Sequence, residues 1–274
     1  MKNWRVLPWI IEGLAKIFSR TLNIGGAVAL SGGANIFIGM VEAPLFIRNS
    51  IKQLSRSELF MVMTLGMSTV AGTVLVLYST FLNQVISDAV GHILTASIMS
   101  VPAAVMISLT MIPQEGDPTP SDAEVAFDYS GPMDAITQGA VSAMQMMLGI
   151  LALIITFIAL VTLTNSILDL LPNVGGAALS LERILGWIMA PLCWLMGIPW
   201  EEATSAGTLM GVKTVFNEFL AFIQQSQLPA DTLSPRSDLI ITYALCGFAN
   251  FGSLGILIGG LSAMAPERRK EITQ

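Results

Sequence analysis

Two stretches of the sequence decide the fold: NIFIGMVEAPLFI at residues 35–47 and KTVFNEFLAF at residues 213–222. Each stretch places one glutamate, Glu42 or Glu218, in apolar surroundings. A matching tetrapeptide follows each of them, RSEL at residues 56–59 and RSDL at residues 236–239. A carboxylate within the hydrocarbon of a membrane is costly unless it faces a cavity or a partner. Two interrupted hydrophobic segments in corresponding halves of a chain therefore predict the binding site of a secondary transporter.

The composition indicates a membrane protein. The chain has 274 residues, of which 53% are hydrophobic and 12% are charged, whereas a soluble domain carries about 25% charged residues. Four segments are long and apolar enough to cross about 30 Å of hydrocarbon. They are residues 57–80, 90–112, 141–168 and 239–264. We therefore expect an all-α polytopic membrane protein, multi-pass in the cell (inner) membrane.

Lysine and arginine residues predict the orientation of the chain. One basic cluster, Arg48, Lys52 and Arg56, precedes the first long span, and the second, RRK at residues 268–270, follows the last. Both clusters are expected to be cytoplasmic because short cytoplasmic loops are enriched in lysine and arginine.

The remaining segments predict an inverted repeat. Residues 1–33 are expected to form an interfacial amphipathic helix and its lead-in, because Glu12, Lys16 and Arg20 form a polar stripe opposite an apolar face. Residues 34–112 would contain the first re-entrant hairpin (34–47) and two transmembrane helices. Residues 113–138 are acidic and rich in proline and glycine, and predict an exposed cytoplasmic linker. A scaffold-type helix at residues 139–172 follows, and residues 173–274 would contain the second hairpin (183–222), the last span and the basic tail.

Few residues are suited to enzyme chemistry. His92 is the only histidine, which excludes a His-based metal cluster and argues against a Ser-His-Asp triad. Cys193 and Cys246 both lie in apolar segments and are expected to be buried thiols. We therefore expect neither an enzyme nor a nucleic-acid-binding protein, and no catalytic residues.

Four motifs carry a resemblance to a known family. They are ANIFIGMVEAPLFIR (34–48), SELFMVMTLGMSTVAGTVL (57–75), GIPWEEATSAGTLMGVKTVFNEFLAF (197–222) and ALCGFANFGSLGILIGG (244–260). Together they resemble the concentrative nucleoside transporters, and the resemblance extends over residues 9–270. It implies nucleoside uptake coupled to a cation by alternating access. Family members carry scaffold helices before the interfacial helix and one more helix after residue 268, so we expect the chain to represent the transport core.

The resemblance also implies the substrate contacts. The family binds the base with a Gln-Thr-Glu run, at whose positions this chain has Met40, Val41 and Glu42. The loss of two hydrogen-bonding side chains leaves purine and pyrimidine preference open. Contacts to the ribose and to the rest of the base are implied for Asn217, Glu218, Asn250, Ser253, Val74, Gln145, Met146 and Phe248.

A coupling ion and partners are implied in the same way. The family's sodium site matches Asn35, the Ile38 carbonyl, Thr69 and the Val70 carbonyl, and oxygen ligands suit a hard cation. Some members use protons, for which Glu218 is the first candidate, so Na⁺ and H⁺ both remain open. The expected partners are a nucleoside, the lipid bilayer and, in the full-length protein, two further copies in a homotrimer.

Other interpretations of the same residues stay open. Asn35 and Asn250 could cap broken helices, and Glu42 could pair with Arg48. Lys213 could bond a backbone carbonyl or Glu218. The Gly-x-x-x-Gly patterns at 207–211 and 255–259 predict close helix packing. For the whole chain, the alternatives are an intramembrane carboxylate hydrolase and a non-transporting gate-type membrane fragment.

Overall fold

The computed structural model describes residues 6–83, 85–120, 131–174, 176, 178–229 and 231–274, and their regular secondary structure is helical. The first five helices are α1 (Val6–Leu22), α2 (Gly26–Asn35), α3 (Arg56–Ser68), α4 (Gly72–Leu82) and α5 (Ala89–Met111). The next five are α6 (Pro132–Leu168), α7 (Leu181–Leu195), α8 (Trp200–Val215), α9 (Glu218–Ser226) and α10 (Pro235–Leu245). Helices α11 (Phe251–Met264) and α12 (Arg269–Ile272) complete the series, and short 3₁₀ helices occupy Ala43–Ile47 and Pro266–Arg268.

The chain forms two compact units, each built from segments that are not consecutive in the sequence. One, here called the α2–α5 unit, contains α1 to α5 together with α11 and α12. The other, here called the α7–α10 unit, contains α6 to α10. The boundary after Leu245 therefore falls inside the segment that the sequence predicts as the last span.

Helices α2 and α3 lie side by side and run in the same direction. A methyl group at Gly25, before α2, would meet the Glu58 carboxylate in the first turn of α3, and one at Gly32 would lie 3.3 Å from Leu65 Cδ1. At the other end, Asn35 contacts Leu65 and Thr69. Buried alanines and glycines on α2 permit this close approach.

Two of the predicted spans are broken in the structure. Residues 57–80 form α3 and α4, separated at Thr69 and Ala71, whose backbones are extended. The prediction of an uninterrupted helix was wrong here, because contacts with distant parts of the chain hold this break and hydropathy does not report such contacts. Residues 239–264 form α10 and α11, separated by residues 246–250, in agreement with the expectation that Asn250 interrupts this segment.

The segment predicted as the second hairpin contains two helices joined at a sharp bend. Helices α7 and α8 are bent by 120° at the break between them. Helix α8 begins after Pro199 and has Glu201 and Glu202 in its first turn, where acids interact favourably with the helix dipole. Their close packing depends on Gly207, where a methyl group would lie 2.5 Å from the Gly186 carbonyl oxygen. At Gly255 and Gly259 no described atom lies within 4 Å of an added methyl group, so their predicted packing role stays a prediction.

The first predicted hairpin begins earlier than expected. Its first arm is α2, which starts at Gly26, eight residues before position 34, and its second arm is the 3₁₀ helix Ala43–Ile47. These two elements contact each other. Glu42 lies directly before the 3₁₀ helix, at the turn between the arms.

Within the described residues, α5 alone is long and apolar enough to cross a membrane, and the bent pair of α7 and α8 would provide a second crossing if it is counted as one span. Length and composition are the whole basis of this assignment. Two of the other apolar segments, residues 57–80 and 239–264, are divided into shorter helices by the breaks described above, whereas residues 141–168 lie within α6.

The two basic clusters predicted to share one side lie together. Arg268 Nη1 donates hydrogen bonds to the carbonyl oxygens of Ile51 (2.7 Å) and Leu54 (2.6 Å). Lys52 forms an ion pair of 3.0 Å with Glu267. The residues after α11 are therefore fastened to the turns that precede α3.

Candidate functional site

A buried polar cluster of the α2–α5 unit joins the end of α2 to the break after α3. Asn35 is 2% exposed, and its Nδ2 donates to the Leu65 carbonyl (2.5 Å) and to Thr69 Oγ1 (2.6 Å). Thr69 Oγ1 donates in turn to the Asn35 carbonyl (3.2 Å). The amide oxygen Asn35 Oδ1 is buried and has no hydrogen-bond partner among the described residues. An unpartnered buried acceptor is costly, and a bound cation would satisfy it.

Three non-helical segments meet at this point. The Gly72 N–H donates to the Phe37 carbonyl (3.3 Å), which joins the start of α4 to the turn after α2. The Phe248 N–H donates to the Thr69 carbonyl (3.3 Å), which joins the two helix breaks. Glycine is required at both contacts. A methyl group on Gly72 would lie 2.9 Å from the Phe37 oxygen, and one on Gly247 would lie 3.0 Å from the Ser68 oxygen.

The break before α11 is capped by a predicted site residue. Asn250 is 5% exposed, and its Oδ1 accepts a hydrogen bond of 2.7 Å from the Ser253 N–H. The expectation of a helix cap is therefore confirmed at Asn250. The cap also orients the amide nitrogen of Asn250 and the Ser253 hydroxyl at the positive end of α11.

The predicted tip of the first hairpin packs on α11. A methyl group on Gly260 would lie 2.8 Å from Val41 Cγ1, so the glycine makes room for the tip. Met40 is buried against Gly66, whereas Val41 and Glu42 are half-buried. Glu42 and Arg48, both described, do not form an ion pair.

The remaining candidates of the α2–α5 unit surround the same joint. Thr69 and Val70 are fully buried at the break, and Ile38 is half-buried in the turn after α2. Val74 lies in the first turn of α4, and Phe248 lies in the second break; both are half-buried. The structure thus brings all four predicted cation ligands into two adjoining segments.

The α7–α10 unit holds the second acid. Glu218 is 3% exposed at the first position of α9, and Asn217 caps this helix by accepting a hydrogen bond of 2.9 Å from the Leu220 N–H. A carboxylate is stabilised at a helix N-terminus by the helix dipole. Lys213 donates a hydrogen bond to the Ala244 carbonyl (3.4 Å), which agrees with the expectation that it bonds a backbone carbonyl. Gln145 and Met146 lie on α6, and the description of the structure does not extend to their side chains.

These features define a class of protein. A sharply bent pair of helices, discontinuous helices with asparagine caps at their breaks, and one buried and one half-buried acid at or beside helix starts are features typical of secondary transporters. No group of three or more His, Cys, Asp or Glu side chains suited to a metal ion occurs among the described residues.

Comparison with known families and proteins places the chain more narrowly. Residues 92–274 match the family described as the Na⁺ dependent nucleoside transporter C-terminus, and residues 1–85 match the family described as nucleoside recognition. The human solute carrier family 28 member 3 is 35% identical over 286 residues, covering 97% of this chain and 41% of the relative. The Helicobacter pylori nucleoside permease NupC is 33% identical over 276 residues, covering 98% of this chain and 65% of the relative.

Solved structures agree with this placement. The transporter CNTnw in an inward-facing substrate-bound state matches with a TM-score of 0.87 and 36% identity, covering 99% of this chain and 65% of that chain. The chain belongs to the concentrative nucleoside transporter family, a family of membrane transporters and not of enzymes. It spans about two fifths of the human relative and about two thirds of the bacterial ones.

Sequence reasoning missed the residues that hold the breaks together. Gly72 and Gly247 allow backbone segments to approach each other, and Leu65 supplies a carbonyl to Asn35. Glycines inside apolar segments, as at Gly72 and Gly247, are a sequence signal of close backbone approach. The Leu65 carbonyl left no signal in the sequence, because any residue type could supply it.

Proposed function

We propose that the chain is the transport core of a secondary active transporter that moves nucleosides into the cell together with a cation by alternating access. The observation that carries the proposal is the buried, unpartnered Asn35 Oδ1 at the joint of α2 with the α3–α4 break. Family membership supports nucleosides as the substrate class. The re-entrant hairpins, the cell (inner) membrane and the homotrimer of the full-length protein are further parts of this proposal.

For the cation, the family description favours Na⁺. We propose Asn35 and Thr69 as side-chain ligands and the carbonyls of Ile38 and Val70 as backbone ligands. Side-chain and unwound-backbone oxygens together suit a hard cation. An ion at this point would tie the turn after α2 to the break after α3, so that cation binding would order the first hairpin and be coupled to nucleoside binding.

For the nucleoside, the candidates divide by chemistry. Asn250, Ser253, Asn217 and Glu218 offer amide, hydroxyl and carboxylate groups that suit the hydroxyl groups of a ribose. Glu42 is proposed to accept from the polar edge of the base, and Met40, Val41, Val74, Gln145, Met146 and Phe248 are proposed to pack around it.

Uptake into proteoliposomes tests the proposal. Radiolabelled uridine and adenosine are supplied under an inward Na⁺ gradient, an inward proton gradient or no gradient. We expect accumulation with one of the gradients and its loss in Glu218→Gln, because the amide has one acceptor oxygen in place of two. The matched control is Glu201→Gln, an exposed acid of α8, which should retain uptake. A lack of accumulation under both gradients, with the protein shown to be in the vesicles, would contradict the proposal.

A second experiment tests the cation ligands. Thr69→Val removes the hydroxyl at the break, whereas Thr64→Val removes a hydroxyl on the same helix that bonds only to its own preceding turn. We expect Thr69→Val to raise the Na⁺ concentration for half-maximal uptake roughly tenfold, the equivalent of one hydrogen bond or ligand contact. Equal Na⁺ dependence in the two variants would remove Thr69 from the site.

A further inference from the structure

A buried carboxylate joins three segments at the base of the first hairpin. Glu58, in the first turn of α3, is 1% exposed. Its Oε1 accepts from the Thr119 N–H (2.7 Å), and its Oε2 accepts from Thr119 Oγ1 (2.6 Å) and from the Ser55 N–H (2.9 Å). Bonds to a carboxylate from such donors are among the stronger hydrogen bonds in proteins.

Thr119 lies in the segment that the sequence predicts as an exposed linker. Its immediate neighbours, Pro118 and Pro120, are exposed, whereas Thr119 itself is 7% exposed. Its hydroxyl also approaches the Gln53 carbonyl (3.4 Å). The start of the acidic connector is therefore fixed to the α2–α5 unit at this residue, and the prediction of full exposure was wrong there.

Gly25 forms the third side of the contact. A methyl group at this position would lie 2.4 Å from Glu58 Oε1 and 2.9 Å from the Thr119 carbonyl oxygen. The backbone of Gly25 has φ −56°, which alanine adopts equally well. Glycine is thus needed here for space, because the loop between α1 and α2 touches both partners.

This contact lies at the opposite end of α2 and α3 from the candidate cation ligands. Gly25 precedes α2 and Asn35 ends it, and Glu58 and Thr69 are at corresponding places of α3. With a rise of about 1.5 Å per residue, the eleven positions from Glu58 to Thr69 correspond to roughly 16 Å. At one end, α2 and α3 are joined by the hydrogen bonds of Asn35. At the other end, the start of α2 packs against Glu58.

We propose that the contact of Gly25, Glu58 and Thr119 is a positioning device for the cation site. By fixing the starts of α2 and α3 to each other and to the connector, it sets the register at which Asn35 meets Thr69. The residues of the device do not touch the ion; they act through the two helices. The inference rests on the proposed function for the identity of the site, while the register itself is a property of the fold.

The register has a physical reason to depend on this contact. Six of the ten residues of α2 are alanine or glycine, so the helix offers few large side chains that could interlock with α3. Removing the Thr119 hydroxyl would leave Glu58 Oε2 with the Ser55 N–H as its one remaining donor among the described residues, so the buried carboxylate would lose one of its three hydrogen bonds to these two residues. The helix starts would then separate to let water reach the carboxylate, and the opposite ends would shift with them.

Mild substitutions test the device, since a direct replacement of Glu58 endangers folding. Thr119→Val removes the hydroxyl donor, and Gly25→Ala places a methyl group between Glu58 and Thr119. The matched controls are Thr119→Ser, which retains the hydroxyl, and Gly13→Ala on α1, where no described atom lies within 4 Å of the added methyl group. All four are compared with the parent protein in detergent by two measurements.

The first measurement is amide hydrogen exchange of peptides covering residues 34–38 and 66–72. We expect Thr119→Val and Gly25→Ala to accelerate exchange there roughly tenfold, within the range for coupling between sites that do not touch, and both controls to leave it unchanged. Faster exchange restricted to residues near 25, 58 and 119 would overturn the proposal, because the clamp would then be merely local.

The second measurement is the Na⁺ concentration that gives half of the maximal thermal stabilisation, with choline as the comparison cation. We expect this concentration to rise roughly tenfold in the two test variants and to return to the parent value in Thr119→Ser. An unchanged value in a Na⁺-responsive protein would overturn the proposal. If the parent itself shows no Na⁺ response, the cation assignment fails, and the exchange data alone then decide whether the device sets the register.

Discussion

At the scale of single residues, a few side chains satisfy backbone groups that the irregular segments leave exposed. Asn217 and Asn250 cap the starts of α9 and α11. Arg268 donates hydrogen bonds to carbonyl oxygens in the turns before α3. Each satisfies a backbone group that has no partner within its own helix or turn. Buried irregular backbone is stable where such partners exist.

Arg268→Met should lower the stability of the protein by about 3 kcal/mol, because it removes two hydrogen bonds from a charged donor to part-buried carbonyls. The matched control is Arg269→Met at the neighbouring exposed position, for which we expect no measurable change. Thermal unfolding in detergent measures both variants. Equal melting temperatures would contradict the role of Arg268.

The ion pair of Lys52 and Glu267, which lies outside the predicted spans, predicts a pH dependence of the stability. The backbone N–H of Glu267, together with the Lys52 ammonium group, lowers the pKa of the Glu267 carboxyl below its usual value. The resulting stabilisation is present above the pKa of the unfolded chain and is lost as pH falls through the pKa of the folded protein. We expect Glu267→Gln to melt slightly below the parent at pH 7, with the difference vanishing in acid. A difference that grows as pH falls would contradict this sign.

At the scale of elements, the hairpin of α7 and α8 depends on small residues at the helix contact. Gly207 approaches the Gly186 carbonyl, and Gly211 approaches Leu185, where a methyl group would lie 2.5 Å from Cβ. The chain changes direction by 120° between α7 and α8, so that α8 folds back on α7. The contacts of Gly207 and Gly211 therefore determine how closely the two helices pack.

Gly207→Ala should destabilise the protein by about 1–3 kcal/mol, the usual cost of overpacking, because its methyl group would press on backbone atoms of α7 that cannot rotate away. Gly259→Ala is the matched control on α11, where the methyl group meets no described atom within 4 Å and alanine favours a helix by about 1 kcal/mol. Thermal unfolding of the two variants should therefore shift in opposite directions. A higher melting temperature of Gly207→Ala than of the parent would show that α7 and α8 do not depend on close packing at this residue.

At the scale of the whole molecule, the two compact units each contain one buried thiol. Cys193 lies in α7 and is inaccessible, and Cys246 lies in the α2–α5 unit and is 4% exposed. The expectation of two buried, unbridged cysteines is confirmed. Each thiol consequently reports the opening of its own unit.

Labelling with a maleimide should leave both cysteines unmodified in the native protein and modify both after denaturation, because a buried thiol reacts only when its surroundings open. Mass spectrometry of the labelled peptides at increasing denaturant separates Cys193 from Cys246. Rapid native labelling of Cys246 would indicate that the break before α11 opens spontaneously.

The sequence predicted the second half of the fold better than the first. The start of α8 after Pro199 and the cap at Asn250 rest on signals within three or four residues of the position. The break at Thr69 was missed, because it lies in an apolar run without proline and is held by Asn35, 34 positions away. The anchoring of Thr119 was missed for the same reason, since Glu58 lies 61 positions from it.

The sequence by itself determined the helical composition, the two acids in apolar surroundings and the family, because these depend on local hydropathy, capping residues and motif spacing. Only the tertiary structure decided where the apolar segments break and which buried oxygen is left without a partner. These features arise from hydrogen bonds between residues far apart in the chain, such as Phe248 with Thr69. A backbone carbonyl can accept such a bond whatever its side chain, so the pairing leaves no mark in the residue types themselves.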